Sequence, residues 1–279
     1  MKKLINKIMG FTGQLADNHA GAYAAQSAYF FMLSMIPIIL LLLTIVQYTP
    51  VTKGDVMSAV VQVFPEESMK GFMVGIVNQV YNQSRTVIPI TAVIAMWSAG
   101  KGVLAMSNGL NCVYGIRETR NYIFIRIRAS IYTVIFIVSI VLGLVLSVFG
   151  NSISIFVNER IPLLKETIDF ILQMRTMISF IVLLGFSLLI YRFLPNRRDS
   201  IRNQLPGAVF TSVGWLFISF IFSMYLTIFR GFTVLYGSMA AIVMVMLWLY
   251  FCMYVMLVGG LINNLWQEEK EDKFSVSRH

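Results

Sequence analysis

The chain has few acidic residues, and none in the middle of an apolar run. Its 279 residues include 13 Asp and Glu, all of them in connections, a leader or a tail. Histidine is scarcer still, with only His19 and His279, and the two cysteines, Cys112 and Cys252, both lie within apolar runs. No HExxH, CxxC, Walker A or GxSxG pattern occurs. A metal site needs several His, Cys, Asp or Glu ligands converging, and proton relays through a bilayer use buried Asp, Glu or His. Neither set is present, so hydrolysis, metal chemistry and proton-coupled transport have no residues to work with. Two cysteines in apolar runs are no disulfide framework and read as small apolar side chains. No catalytic residue, metal or other cofactor is expected, and the chain is not expected to be an enzyme.

Charge is scarce overall: 13% of residues are charged, against about 25% in soluble domains. The chain is instead 57% hydrophobic. Its apolar residues gather in six runs, 28–48, 87–112, 127–149, 176–194, 206–229 and 237–262. About 20 apolar residues cross the roughly 30 Å of hydrocarbon in a bilayer. The expected fold is therefore all-α and polytopic, with six transmembrane helices. It divides into a cytoplasmic amphipathic leader (1–27), a six-helix transmembrane domain (28–264) and a charged cytoplasmic tail (265–279). Pro37 inside the first run is tolerable in a membrane helix and marks a kink.

The net charge of +9 does not point to nucleic acid, because the basic residues sit in short connections beside apolar runs. Lys2, Lys3, Lys7, Arg117, Arg120, Arg126, Arg128, Arg192, Arg197, Arg198, Arg202, Lys270, Lys273 and Arg278 share one side. That is 14 on one side, against 7 on the other, Lys53, Lys70, Arg85, Arg160, Lys165, Arg175 and Arg230. The excess places both termini in the cytoplasm. No cleavable signal peptide is expected: the leader contains Asp17 and His19, which do not suit one. Within it Leu4, Ile8, Phe11 and Leu15 share a helical face, which fits a helix at the membrane surface or a plain positive-inside leader. In the first outer connection Phe64-Pro65-Glu66-Glu67 reads as a helix start. Met69, Phe72, Met73, Ile76, Val77 and Val80 follow at helical spacing, as do Ile161, Leu164, Ile168 and Ile171 in the second. Both connections are expected to hold amphipathic helices.

One cation stands apart. Lys101 lies in the middle of the second run, about 20 Å from either end at 1.5 Å per residue, too far for a lysine stem to reach the interface. On a helix Ser98, Lys101, Asn108 and Cys112 fall within about 80°, with Asn111 beside them. Gly100 and Gly102 flank the lysine. Several roles fit: Lys101 holds an anionic group in a hydrated cavity, it is satisfied where the helix breaks at Ala99-Gly100-Lys101-Gly102, or the span is shorter and Lys101 is interfacial. Asp17 is a candidate partner from the leader. A second basic feature is the turn-rich connection carrying Arg192, Arg197, Arg198 and Arg202, whose guanidiniums suit lipid phosphates or simply set orientation.

Several motifs together resemble the YihY / virulence factor BrkB family, formerly named ribonuclease BN. They are the stretch from Ala28 to Pro37 (AYFFMLSMIP), Trp97-Ser98-Ala99-Gly100-Lys101-Gly102, Asn108-Gly109-Leu110-Asn111 with Tyr114-Gly115, Tyr191 to Asn196 (YRFLPN) with Leu205 to Ala208 (LPGA), and Tyr236-Gly237-Ser238 with Leu247 to Tyr250 (LWLY). The resemblance implies a six-helix bacterial inner-membrane protein, with transport of a lipid or lipid-like anion as the expected activity and no catalytic residues to carry over. Lys101, Ser98, Asn108 and Asn111 are then the substrate-path candidates, and Arg192, Arg197, Arg198 and Arg202 the head-group candidates. The expected partners are membrane lipids, anionic ones above all, with a second copy of the chain or an envelope protein as further partners and no nucleic acid. The alternative is a non-transporting scaffold whose outer helices meet envelope partners. The topology has a direct check: a reporter fused after Arg160 should lie outside the cytoplasm, and a cytoplasmic signal contradicts it.

Overall fold

The computed structural model describes residues 2–46, 53–54, 56–58, 71, 74–75, 77–78, 87–132, 175–197, 199–228 and 238–276. Every regular element among them is helical. They are α1 (Lys2–Asp17), α2 (Ala20–Val46), α3 (Val87–Val113), α4 (122–132), α5 (Arg175–Phe193), α6 (Ile201–Ile228) and α7 (Ser238–Val276). The expected third span enters as α4, and its remainder lies outside the described residues. Between α2 and α3 the described residues are helical and Val77 is fully buried. Phe64–Glu67, Met69, Phe72, Met73, Ile76 and Val80 lie outside the described residues, as do Ile161, Leu164, Ile168 and Ile171.

The first apolar run does not begin where its hydropathy does. α2 starts at Ala20, before the run opens at Ala28, and the break from α1 falls at Asn18 and His19, where His19 takes a left-handed φ of 50°. The cause is a stripe of small residues. Ala20, Ala24, Ser27 and Ala28 are all fully buried, and their three- and four-residue spacing puts them on one face. Small side chains let helices approach closely where lipid gives no hydrophobic drive. The α1 helix docks through Leu15, which is buried, and Phe11, which packs on the core.

Helix α7 is the centre of the bundle, packing against α2, α3 and α6, while α5 packs on α6 and α2 runs along α3. Its buried stripe is Leu249, Cys252, Met253, Met256, Leu257 and Leu261. At 39 residues it is about 58 Å long and runs on through the charged tail, where Asn264–Glu268 and Gln267–Glu271 hydrogen bonds brace successive turns. The α6 and α7 backbones touch. A Cβ added to Gly207 would collide with the carbonyl oxygen of Gly259, and one on Gly259 would collide with Thr211 and Tyr191. Pro206, inside α6, removes the N–H that would bond the carbonyl of Arg202. The next amide, Gly207, donates to Asn263 Oδ1 at 2.7 Å, so a side chain of α7 takes up a backbone group of α6.

The outer surface is apolar. Two described stretches, Ile201–Tyr225 and Ile242–Glu271, are long and apolar enough by length and composition to cross a membrane, and Met177–Phe193 is a shorter apolar helix. Phe210, Val213, Phe217, Phe220 and Met224 make an exposed stripe on α6. A contiguous apolar strip of this kind faces lipid or a partner rather than water.

The Gly207–Gly259 contact predicts an asymmetry among glycines. Gly259→Ala overpacks a backbone contact and should cost about 1–3 kcal/mol in thermal unfolding of the detergent-solubilised protein. Gly10→Ala, with open space at its Cβ, should cost nothing. Equal melting temperatures for the two variants would contradict the close contact.

Candidate functional site

Two polar features emerge, one closed and one open. The closed one joins α3, α4, α5, α6 and α7 at the end where α3 and α5 finish. α3 stops in a Schellman turn: Gly115 takes a left-handed φ of 65°, Ile116 N donates to Asn111 O at 2.8 Å and Gly115 N to Cys112 O at 3.0 Å, a cap that glycine adopts without Cβ strain. The side chain of Asn111, buried in the last turn, works in two directions. Its Nδ2 donates to Glu118 Oε2 at 2.9 Å, and its Oδ1 accepts from the Asn196 backbone N–H at 2.8 Å. Glu118 pairs with Arg120 at 2.6 Å, and Arg120 also donates to Leu194 O at 3.0 Å. Ser107 donates to the same carbonyl at 3.1 Å, and Asn196 Nδ2 donates to Thr119 Oγ1 at 2.9 Å. Arg128 of α4 donates to Phe193 O. The loop ends after α3 and α5 are thus fastened to each other.

A second half of this belt ties the loop to α6 and α7. Arg197 stacks on Tyr114, 3.6 Å from guanidinium carbon to ring centroid, and its Nη1 donates to Asn264 Oδ1 at 3.2 Å. Its Nε lies 2.5 Å from Asp199 Oδ2, close enough for an ion pair though not aligned as a hydrogen bond. Gln204 Nε2 donates to Asp199 Oδ2 at 3.2 Å, and Gln204 Oε1 accepts from Tyr114 at 3.3 Å and Asn263 at 3.0 Å. Tyr191, fully buried, shares a 2.5 Å hydrogen bond with Thr211 and donates to Met256 O at 2.6 Å.

The open feature is on α3. The helix is continuous from Val87 to Val113, so it does not break at Ala99-Gly100-Lys101-Gly102, and a local break is not what satisfies Lys101. Gly102 packs against Phe31 of α2 and Gly109 against Tyr23, while Gly100 faces Ser130 of α4. Between these two flanks Trp97, Lys101 and Asn108 are all exposed. They fall within about 40° of one another on a helix, so they make one outward strip, a furrow floor walled by α2 and α4. Lys101 Nζ sits 5.7 Å from the centroid of the Phe30 ring, and no carboxylate among the described residues meets it. Further along, Cys112 lies 4.0 Å from Asn18 Oδ1, so the strip leads from the middle of α3 to the α1–α2 turn.

The candidate residues therefore separate. Lys101 and Asn108 share the strip, whereas Asn111, about 80° round the helix from Lys101, belongs to the closed belt. The side chain of Ser98 and all of Arg198 lie outside the described residues. Of the head-group candidates, Arg197 is engaged within the protein, Arg192 donates to Asp199 O, and Arg202 is exposed. Arg126 is a residue that sequence reasoning missed. A cation at the start of an apolar run is expected to extend outward to the interface. Arg126 is instead 5% exposed, stacks 4.4 Å from the Trp97 ring and donates to Trp97 O at 2.9 Å. A small apolar cavity of about 20 Å³ sits deeper, between Phe31, Met106, Tyr132, Ile190, Leu194 and Met253, away from Lys101. Among the described residues no three His, Cys, Asp or Glu side chains come together as metal ligands.

The hydrogen bonds from Arg120, ahead of the opposing effect of burial, lower the Glu118 carboxyl from 4.5 to about 2. A lowered folded value adds stability above the unfolded pKa, and that stability is lost as pH falls through the folded one. Glu118→Gln should therefore melt below the wild type at pH 7, with the gap closing between about pH 4.5 and pH 2. A gap that is constant over that range contradicts the ionic role of Glu118.

The family model described as Virulence factor BrkB matches residues 11–279. The chain is 30% identical over 249 residues to the ribonuclease-like protein YfkH of Bacillus subtilis (strain 168), covering 89% of this chain and 90% of that protein. It is 26% identical over 254 residues to a UPF0761 membrane protein of Aliivibrio salmonicida (strain LFI1238), covering 86% of this chain and 76% of that protein. No solved structure matches the chain. Trp97, Lys101 and Asn108 of the strip and Asn111, Tyr114, Tyr191 and Asn196 of the belt belong to the family-like motifs, and with a match over nearly its whole length the chain belongs to the Virulence factor BrkB family of membrane proteins.

Proposed function

We propose that this membrane protein crosses the bacterial plasma membrane six times, with both termini cytoplasmic, and that it binds or moves an anionic, lipid-like substrate along the α3 furrow. In this account residues 1–27 are a cytoplasmic leader, 28–264 the transmembrane domain and 265–279 a cytoplasmic tail. Lys101 meets the anion, Asn108 lines the path toward the α1–α2 turn, and Arg202, exposed beside the belt, meets head groups at the surface. Ser98 is a further lining residue, and Arg192, Arg197 and Arg198 complete the basic loop.

The observation that carries this is the position of Lys101: exposed, in mid-helix, on an apolar span, without a carboxylate among the described residues. A charge at the centre of a membrane helix costs about 2.5–3.5 kcal/mol on insertion scales. The fold recovers only part of that from the ammonium, whose described contact is a cation–π approach to Phe30, worth about 0.5–1 kcal/mol at an exposed site. An anionic ligand supplies the missing partner. The ribonuclease-like name of one relative belongs to that relative, and among the described residues no three His, Cys, Asp or Glu side chains gather as a metal-ligand set.

Reconstitution in liposomes with a labelled anionic phospholipid tests this. The wild type should speed exchange between leaflets over protein-free vesicles, and Lys101→Met should remove most of the gain while folding normally. Wild-type vesicles no faster than empty ones would favour a scaffold that contacts envelope partners. A folded, fully active Lys101→Met would remove the furrow from the account.

A further inference from the structure

We propose that Arg126 is the second cation of the Lys101 site, and that the pair selects a lipid bearing a phosphate monoester over one bearing a phosphodiester. This rests on the anionic-lipid function proposed above and names its substrate class. The level of Arg126 follows from helix geometry. In α3 the carbonyl of Trp97 is the one that accepts the backbone N–H of Lys101. The Arg126 guanidinium donates to that same carbonyl at 2.9 Å, so it lies within a turn of Lys101 although its Cα belongs to α4. Trp97, 55% exposed, stacks against Arg126 and lies one turn before Lys101 on the same exposed strip.

Two features mark Arg126 as more than a packing residue. It is 95% buried, and its Nε is enclosed with no hydrogen-bond acceptor among the described residues. A buried guanidinium is ordinarily paired with a carboxylate or fully hydrogen-bonded. Here one carbonyl and one indole face take that place. The described side chains of α2 and α4 that carry titratable or charged groups are Tyr23, Tyr29, Tyr122, Arg126, Arg128 and Tyr132, so neither flank brings an acid to the site. Two cations without an acid leave a local charge of +2.

A phosphate monoester carries about −1.5 to −2 at neutral pH, with a second pKa near 6, and offers three oxygens: it can meet an ammonium and a guanidinium at once. A phosphodiester carries a single negative charge and satisfies one of them. A guanidinium also presents a planar fork that suits phosphate, while an ammonium acts as a point charge. The furrow opens outward on an apolar surface, with Tyr29 and Leu33 of α2 exposed beside it, which suits a ligand carrying acyl chains over free phosphate.

The test is retention of lipid by the full-length protein in detergent, read by native mass spectrometry with phosphatidic acid, phosphatidylglycerol, phosphatidylethanolamine and inorganic phosphate as probes. The wild type at pH 7.5 should retain phosphatidic acid over phosphatidylglycerol by on the order of tenfold, with no retention of inorganic phosphate. At pH 5.0, where the monoester has lost its second charge, the preference should fall to about twofold or less. Arg126→Gln should abolish the preference and leave phosphatidylglycerol binding in place. Arg126→Lys, which keeps the charge if the glutamine variant fails to fold, should retain it in part. Equal wild-type retention of the two lipids, or a preference unchanged at pH 5.0, overturns the two-cation site while leaving the anionic-lipid account standing. Retention of neither lipid overturns both. Retention of inorganic phosphate as strong as that of phosphatidic acid overturns the assignment to a lipid.

Discussion

Polar groups buried between membrane helices have to find their partners inside the protein, because hydrocarbon supplies none. That constraint explains how the ends of this bundle are fastened. Where α3 and α5 end, Asn111, Asn196, Glu118, Arg120, Tyr114, Gln204 and Asn263 satisfy one another and the loop carbonyls around them. The same logic operates inside the bundle, where Ser27 and Ser34 return their hydroxyls to carbonyls of their own helix. Even the backbone amide of Gly207, just past a proline-disrupted turn, is taken up by Asn263. Apolar packing of α7 against α2, α3 and α6 supplies the bulk of the contact, and the polar belt fixes how the ends meet.

Against that background the basic residues of the α3 furrow stand out. Lys101 is exposed at mid-helix with an aromatic ring as its described neighbour, and Arg126 is buried with one donor on a carbonyl and Nε without a described acceptor. Elsewhere among the described residues basic groups meet carboxylates: Arg120 pairs with Glu118, and Arg197 with Asp199, although Arg197 Nη2 has no described acceptor. The contrast separates two kinds of arginine that look alike in sequence. Arg192 and Arg197 of the loop after α5 bond within the protein, whereas Lys101 meets no carboxylate and Arg126 Nε no acceptor among the described residues. The belt fastens one end of the bundle, and in the proposed function that gives a stable wall along which a lipid can lie.

Much of this was legible in the sequence. The apolar runs located α2, α3, α5, α6 and α7, and helical periodicity put Lys101 and Asn108 on one strip. What it did not show has physical causes. Hydropathy is blind to the small buried residues Ala20, Ala24 and Ser27, so α2 begins earlier than its apolar run. Pro206 reads as a helix boundary, yet α6 begins at Ile201: a proline near the start of a helix forfeits one backbone bond, and Gln204 and Gly207 on either side of it bond to Asn263 on α7. The charged tail reads as separate, yet Asn264–Glu268 and Gln267–Glu271 pairs carry α7 to Val276. Asn111 sits near Lys101 on a helical wheel, but the last turn of α3 aims it at Glu118 and Asn196. Arg126 was hidden because its inward course depends on the neighbouring helix, which a single run cannot display.

The central claim is that the furrow beside Lys101 is a hydrated path occupied by a lipid phosphate. The most direct measurement places a thiol at Asn108→Cys, with Cys112 and Cys252 replaced by alanine, and follows its modification by a membrane-impermeant reagent in proteoliposomes. The account predicts that the thiol reacts, and that phosphatidic acid in the bilayer slows the reaction while phosphatidylethanolamine does not. A thiol that never reacts, or one that reacts at the same rate in both lipids, would contradict it.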